Sequence, residues 1–214
     1  MTFSESIPSL FTLAHEIGHA IQFHVRATIE NYLDYQPSRL HSEIAAVFFE
    51  LLVGFEYLEN FNKNMQSKKA FLEHVCSNIF KQTMTTLFEI DLYRMAQTSG
   101  ELDLKQVREG WVKQWEKFYG DSIKLCEAEN NMFFSIPHLF FEPLISAMYP
   151  IAQIVAMNLY LKYREQPENF KERFFKFLCL ASNANIFEFL SVEFDIDIDD
   201  RAVWQRGIDS TPHI

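Results

Sequence analysis

The residues with the clearest chemistry lie in the segment Leu-Ala-His-Glu-Ile-Gly-His-Ala at positions 13–20. His15 and His19 are four residues apart, so on a helix both imidazoles project from one face, one turn apart. Two neutral imidazoles in this arrangement can bind one Zn²⁺. Glu16 cannot easily reach the same ion, but its carboxylate can hold a water molecule and accept its proton. The pattern therefore predicts metal-assisted hydrolysis of a peptide bond.

A third zinc ligand is expected on the next helix, because His₂Glu sites need one more protein ligand. Glu43 is the candidate, at a distance along the chain that lets one helix end and the next turn back. Glu50 lies on the same predicted face two turns later, where a carboxylate can hold a ligand imidazole. The alternative for Glu50 is an ordinary polar helix residue. Gly18 costs ~1 kcal/mol relative to alanine in a helix interior, which indicates a close approach by another element.

A chance match to His-Glu-x-x-His, with two histidines on a surface helix, is the alternative to a metal site. The apolar residues around the motif argue against it, because buried histidines need a partner. These apolar residues are Phe11, Leu13, Ile17 and Ile21.

Composition excludes several functional classes. The chain has 19 Lys and Arg against 29 Asp and Glu, a net charge of −10, which disfavours binding to nucleic acid or to anionic membranes. Its 6 glycines and 7 prolines are too few for a turn-rich β fold and favour long helices, hence an all-α fold. The three cysteines, Cys76, Cys126 and Cys179, give neither a disulfide framework nor a cysteine zinc site. Residues 1–9 lack a secretory signal, so we expect a cytoplasmic protein.

Helical periodicity and capping residues predict the elements that position the motif. Pro8 opens a helix that runs to about Ile29, and Pro37-Ser38 opens a second. Ser67 caps a long third helix that ends near Gly100, and a capping box at Asp103 and Gln106 opens a fourth that stops at Gly120. Residues 121–136 are expected to be irregular. Further helices are predicted over residues 143–164, 168–181 and 184–192.

Two segments have alternative interpretations. Residues 143–161 carry no charge, but the central Pro150 and scattered polar residues favour a buried core helix over a membrane span. The acidic run Asp195–Asp200 lacks the glycine and closing glutamate of an EF-hand loop, so it is expected to be the solvated start of a helix.

These segments resemble the oligoendopeptidase F branch of the thimet-oligopeptidase family of zinc metallopeptidases. The likeness is carried by residues 11–20 and by Ser-Glu-Ile-Ala-Ala-Val-Phe-Phe-Glu at 42–50, and it continues through Phe80–Met84, Phe118–Gly120, Ile136–His138 and Pro143–Tyr149. The resemblance implies a multi-helix zincin-like body that hydrolyses short peptides. It also implies one Zn²⁺ per chain, with His15, His19 and Glu43 as ligands and Glu16 as general base.

The resemblance further implies that His138 contacts substrate and that Tyr149 donates a hydrogen bond to the substrate carbonyl or oxyanion. Without the family resemblance, His138 would be interpreted as a histidine at a helix boundary and Tyr149 as a buried aromatic residue. The chain departs from the family at Ser146, where many members have tyrosine, and in the absence of glycines from residues 1–9. Gln22 occupies a position where family members often carry histidine or glutamine.

The resemblance covers only the family's C-terminal catalytic portion, so residues 1–214 are expected to form one peptidase domain that lacks the N-terminal half. That missing half is a candidate partner, and apolar surface is expected where it would pack, at Val47–Phe55 and Phe133–Phe141. The alternatives to a peptidase are a weakly active or non-catalytic helical fragment that keeps a structural zinc site, and a remnant without metal.

Overall fold

The fold is described from a computed structural model, which covers residues 6–27, 35–61, 65–122 and 124–211. Every regular element among these residues is helical and none is a strand, which confirms the all-α prediction. The α-helices are α1 Ile7–Arg26, α2 Arg39–Glu56, α3 Met65–Cys76, α4 Gln82–Ser99, α5 Leu104–Tyr119, α6 His138–Phe141, α7 Met148–Glu165, α8 Pro167–Leu178, α9 Ile186–Phe194 and α10 Arg201–Asp209.

The chain divides into two compact units. One contains the residues up to Val75 together with those from Ile151 onward, and the other is Cys76–Pro150. The assignment of residues 1–214 to one catalytic domain stays a prediction.

Helices α1 and α2 begin where Pro8 and Pro37-Ser38 predict. The Ser6 side chain accepts a hydrogen bond from the backbone N–H of Ser9, and Pro8 lies in the first turn, where a missing N–H costs nothing. The Ser38 hydroxyl receives the backbone N–H of His41 at the start of α2. Both predicted starts are confirmed, whereas the predicted end near Ile29 lies outside the described residues.

Helices α1 and α2 approach each other closely at Gly18. A Cβ atom added to this glycine would lie 2.7 Å from the Cα of Ala46, closer than real Cβ atoms come. The predicted close approach at Gly18 is therefore confirmed, and its partner is the backbone of α2. Val47, Phe48 and Leu51 of α2 are buried within the first unit. The expectation of exposed apolar surface at Val47–Phe55 is therefore largely wrong.

The predicted third helix forms with two differences. It consists of α3, a π-helical turn over Ser77–Lys81, and α4, which ends at Ser99 and is followed by Gly100 with φ of 79°. Ser67 is not its cap, because it lies inside α3 and is buried. The wider π turn needs no proline or glycine, so the sequence carried no signal for it.

The second unit is built on an aromatic core. Met84, Phe88, Trp111 and Phe133 pack together, and the predicted capping box of Asp103 and Gln106 opens α5. Residues 129–135 form a 3₁₀ segment within the stretch predicted to be irregular. The apolar surface expected in Phe133–Phe141 is present, because Phe134, Phe140 and Phe141 are exposed.

The uncharged stretch 143–161 is a buried helix, as predicted. It begins at Met148 rather than at 143, because Leu144 adopts a left-handed conformation with φ of 57° and a 3₁₀ turn follows. Residues 152–160 of α7 are all buried. Within the described ranges, no helix is both long and apolar enough to cross a membrane. The acidic run ends in Asp200, whose side chain caps α10 and confirms the predicted helix start.

Candidate metal centre

Two adjacent helices bring His15, His19 and Glu43 together. The histidines lie one turn apart on α1, with ring centroids 4.8 Å apart, and Glu43 is presented from α2. The His15 Nε2 atom is 3.5 Å from one Glu43 oxygen, and the His19 Nε2 atom is 4.0 Å from the other. One ligand atom from each of the three residues lies within 4.8 Å of the other two.

Side chains of α2 contact the Nδ1 atoms of both histidines. His15 Nδ1 lies 3.2 Å from Glu50 Oε2, and His19 Nδ1 lies 2.8 Å from the Ser42 hydroxyl. With Nδ1 engaged, each ring turns its Nε2 atom towards Glu43. One helix therefore supplies the third candidate ligand and both groups that orient the other two.

Glu50 is shared between two histidines. Its Oε1 atom lies 2.7 Å from Nε2 of His74, a residue of α3 that no sequence pattern indicates. Glu50 is only 2% exposed, and these contacts place a histidine nitrogen at each of its oxygens. No motif surrounds His74, so only the packing of α3 against the site could have revealed it.

The site is electrostatically asymmetric. Burial lowers the pKa of His15, but its ring N–H groups face the acceptor oxygens of Glu43 and Glu50. These contacts and the negative charges of both carboxylates outweigh burial and raise the pKa of His15 to about 9. Burial and the neighbouring His15 lower the pKa of His19. Burial would raise the pKa of Glu50, yet the hydrogen bonds from His15 and His74 hold it below its ordinary value.

The three residues fit a zinc ion. Ligand atoms of a tetrahedral zinc site lie about 3.3–3.7 Å apart, so the observed separations need only small side-chain adjustments. The Oε2 atom of Glu43 is buried, and its 3.5 Å contact with His15 Nε2 does not form a well-aligned hydrogen bond. A buried carboxylate oxygen without a full hydrogen bond is costly, and a cation would satisfy it.

The remaining predicted residues fall into two groups. Glu16 lies beside the cluster on α1 and is exposed, so its carboxylate is open to solvent. Gln22, one turn beyond His19, is fully buried, and neither of its amide atoms has a partner among the described residues. His138 and Tyr149 belong to the second unit, where their ring centroids are 6.1 Å apart.

The segment between His138 and Tyr149 is anchored by a buried carboxylate. Glu89 of α4 is 3% exposed, and its Oε1 atom accepts hydrogen bonds from the Leu144 backbone N–H and from the Tyr93 hydroxyl. Ser146, where many family members carry tyrosine, is buried, so its hydroxyl is not presented to solvent.

Residues 1–188 match the model of peptidase family M3. The chain belongs to peptidase family M3. The oligoendopeptidase F homolog of Borreliella burgdorferi is 26% identical to it over 207 residues, which is 95% of this chain and 35% of that protein. This chain therefore spans about a third of the length of that relative.

Solved structures share the fold. A putative peptidase from Chlamydophila abortus superimposes with a TM-score of 0.81 at 19% identity, over 98% of this chain and 36% of that one. The oligoendopeptidase-F from Enterococcus faecium superimposes with a TM-score of 0.72 at 19% identity, over 94% and 38% of the two chains. The family resemblance and the fold class predicted from the sequence are thereby confirmed, and the M3 family is one of metallopeptidases.

Proposed function

We propose that this chain carries the catalytic zinc site of an oligopeptidase that hydrolyses short peptides, with one Zn²⁺ per chain held by His15, His19 and Glu43. The observation that carries the proposal is that one ligand atom from each of His15, His19 and Glu43 lies within 4.8 Å of the other two. Membership in peptidase family M3 supports the reaction class.

Each residue near the metal has a separate task. Zinc, when bound, supplies a Lewis acid that lowers the pKa of a water molecule towards ~7 and polarises the substrate carbonyl. The Glu16 carboxylate lies on the same helix as both histidines, where it can accept the proton of the attacking water and pass it to the leaving amine. Ser42 and Glu50 keep the imidazoles in the orientation that leaves each Nε2 atom free.

We further propose that His138 and Tyr149 donate hydrogen bonds to the substrate carbonyl as negative charge develops on its oxygen. An imidazole N–H and a phenol O–H are suitable donors for this purpose. The cytoplasmic location expected from the sequence, and short peptides as partners, belong to the same proposal.

The test is peptide hydrolysis by the zinc-loaded chain and its Glu16→Gln variant. This substitution keeps the shape of the side chain but removes the base, so kcat should fall at least ~10²-fold. Zinc content should not change, since Glu16 is not among the proposed ligands. The control is Glu109→Gln, an exposed carboxylate on α5, which should leave both kcat and zinc content unchanged.

An equal kcat in the Glu16→Gln variant would assign Glu16 a structural role only. No hydrolysis by the zinc-loaded wild-type chain would favour the alternative of a non-catalytic helical protein that keeps a structural zinc site. The burial of Ser146 supports this alternative. Many family members have a tyrosine at this position, whereas the shorter Ser146 side chain is buried here.

A further inference from the structure

We propose that His74 is a positioning residue of the metal centre, which acts through Glu50 to hold the His15 imidazole in its metal-binding orientation. The inference rests on the proposed function, because it concerns the same site. It adds a third histidine, from a third helix, to the set of groups on which metal binding depends.

Two consecutive contacts connect His74 to His15 through Glu50. His74 Nε2 lies 2.7 Å from Glu50 Oε1, and Glu50 Oε2 lies 3.2 Å from His15 Nδ1. The two oxygens of one carboxylate are thus assigned to two different rings. The shorter contact is the one to His74, so the carboxylate is anchored at the end farther from the metal-facing ring.

Burial makes this anchoring necessary. Glu50 is 2% exposed, so solvent cannot supply the hydrogen bonds that a carboxylate needs. Without His74, Oε1 would be a buried acceptor without a donor, and the carboxylate would gain by rotating towards water and away from His15. The position of Glu50 therefore depends on His74.

The ring of His74 is itself fixed by packing. Its centroid lies 5.8 Å from that of Phe11, which is fully buried on α1 one turn before His15. The His74 side chain is 30% exposed, so its other edge reaches the surface. Helix α3 thus contacts α1 one turn before the metal-binding motif. The position of α3 can therefore affect the orientation of the His15 ring.

What Glu50 controls is which nitrogen of His15 remains available. When the Nδ1–H of His15 donates to Glu50, the lone pair for the metal lies on Nε2, the atom that faces Glu43. Outer groups that orient a ligand histidine typically change metal affinity 10–100-fold when they are removed. We expect an effect of this size from His74, although it does not touch the metal.

The test uses the full chain with ¹⁵N-labelled histidine and three variants. His74→Leu removes the donor, His74→Gln keeps a donor where Nε2 lies, and His24→Leu is the control at an exposed position of α1. Zinc affinity is measured by chelator competition. In the zinc-free protein, NMR records the Nδ1–H proton of His15, which should be shielded from exchange with water by its contact with Glu50.

In His74→Leu we expect zinc affinity to fall 10–100-fold and the Nδ1–H signal of His15 to be lost to exchange. His74→Gln should restore both, and His24→Leu should leave both unchanged. Wild-type affinity and an intact Nδ1–H signal in His74→Leu would overturn the inference. Equal losses in His74→Leu and His74→Gln would also overturn it, because they would show a packing effect without a hydrogen-bond effect.

The two readouts separate this inference from the proposed function. If the wild-type chain binds no zinc, the proposed function fails, yet the Nδ1–H signal of the zinc-free protein still decides whether His74 positions His15.

Discussion

The Ser42 hydroxyl holds the second metal-facing histidine, as Glu50 holds the first. It lies 2.8 Å from His19 Nδ1, and Ser42 directly precedes the proposed ligand Glu43 on α2. Ser42→Ala removes this contact and leaves the helix intact, since alanine is the best helix former. We expect zinc affinity to fall about tenfold or more, as measured by chelator competition.

The matched control is Ser191→Ala, a serine-to-alanine change at an exposed position within α9. It should leave zinc affinity unchanged. If Ser42→Ala binds zinc as tightly as the wild-type chain, the hydroxyl does not orient His19.

At the scale of single residues, the sequence predicts what has a fixed spacing and misses what depends on packing. His15, His19 and Glu16 follow from the period of one helix, and Glu50 follows from its seven-residue distance to Glu43. Ser42 and His74 follow no such spacing. Their roles depend on how α1, α2 and α3 pack, which no short pattern encodes.

Gly18 sets the distance between the two helices that carry the candidate ligands. In Gly18→Ala, the new methyl group would meet the backbone of Ala46 at 2.7 Å, and backbone cannot move aside as a flexible side chain can. We expect the variant to lose about 1–3 kcal/mol of unfolding free energy, the usual cost of overpacking. Its zinc affinity should fall as well, because α2 and Glu43 would be pushed away from α1. Urea denaturation and chelator competition measure the two effects.

Gly110→Ala is the control for helix propensity. A methyl group there would meet Phe88 at 3.6 Å, an ordinary contact, so this variant should be neutral or up to ~1 kcal/mol more stable. A Gly18→Ala variant with wild-type stability and zinc affinity would show that α1 and α2 need not be so close.

His41 holds the C-terminal end of α8 from inside the first unit. Its Nε2–H donates to the Phe177 carbonyl at 2.7 Å, while Arg26 donates to the Leu178 and Leu180 carbonyls. Burial lowers the pKa of His41 to about 4, and the nearby Arg26 acts in the same direction, although the hydrogen bond to Phe177 opposes both.

This pKa predicts how stability depends on pH. The unfolded chain has an ordinary histidine pKa near 6.5, so below that pH the unfolded state takes up a proton that folded His41 refuses. The stabilisation is therefore complete above pH ~7 and is lost as the pH falls from 6.5 towards 4. The loss should reach about 1–3 kcal/mol.

His41→Gln isolates this effect, because glutamine can still donate to the Phe177 carbonyl but does not titrate. The unfolding free energies of both zinc-free proteins are measured between pH 4 and 7.5. The wild-type protein should lose stability relative to the variant as the pH falls. A difference that stays constant over this range would show that His41 is not held neutral.

At the scale of elements, helix starts with a local cap were predictable, whereas the helix interruptions and the starts expected at Ser67 and at residue 143 were not. Ser6, Ser38, Asp103 and Asp200 cap helices by local hydrogen bonds that a few neighbouring residues determine. The π turn after α3 and the left-handed Leu144 have no such local signal. The Leu144 backbone N–H donates to Glu89, 55 residues earlier in the chain, and no local pattern encodes such a contact.

At the scale of the whole molecule, the first unit contains all the candidate metal ligands and the groups that orient them. The residues proposed to contact substrate, His138 and Tyr149, belong to the second unit. Metal binding and substrate binding can therefore be tested separately. Metal binding is the simpler property to test, because all the proposed ligands and the groups that orient them belong to the first unit.

The central claim is that His15, His19 and Glu43 form a single zinc site. The most direct measurement is the zinc content per chain after extensive dialysis, compared between the wild-type protein and a His15→Ala/His19→Ala double variant. We predict about one zinc per wild-type chain and none in the double variant, because the double variant lacks both imidazole ligands. Full zinc retention in the double variant, or a wild-type chain that binds no zinc, would contradict it.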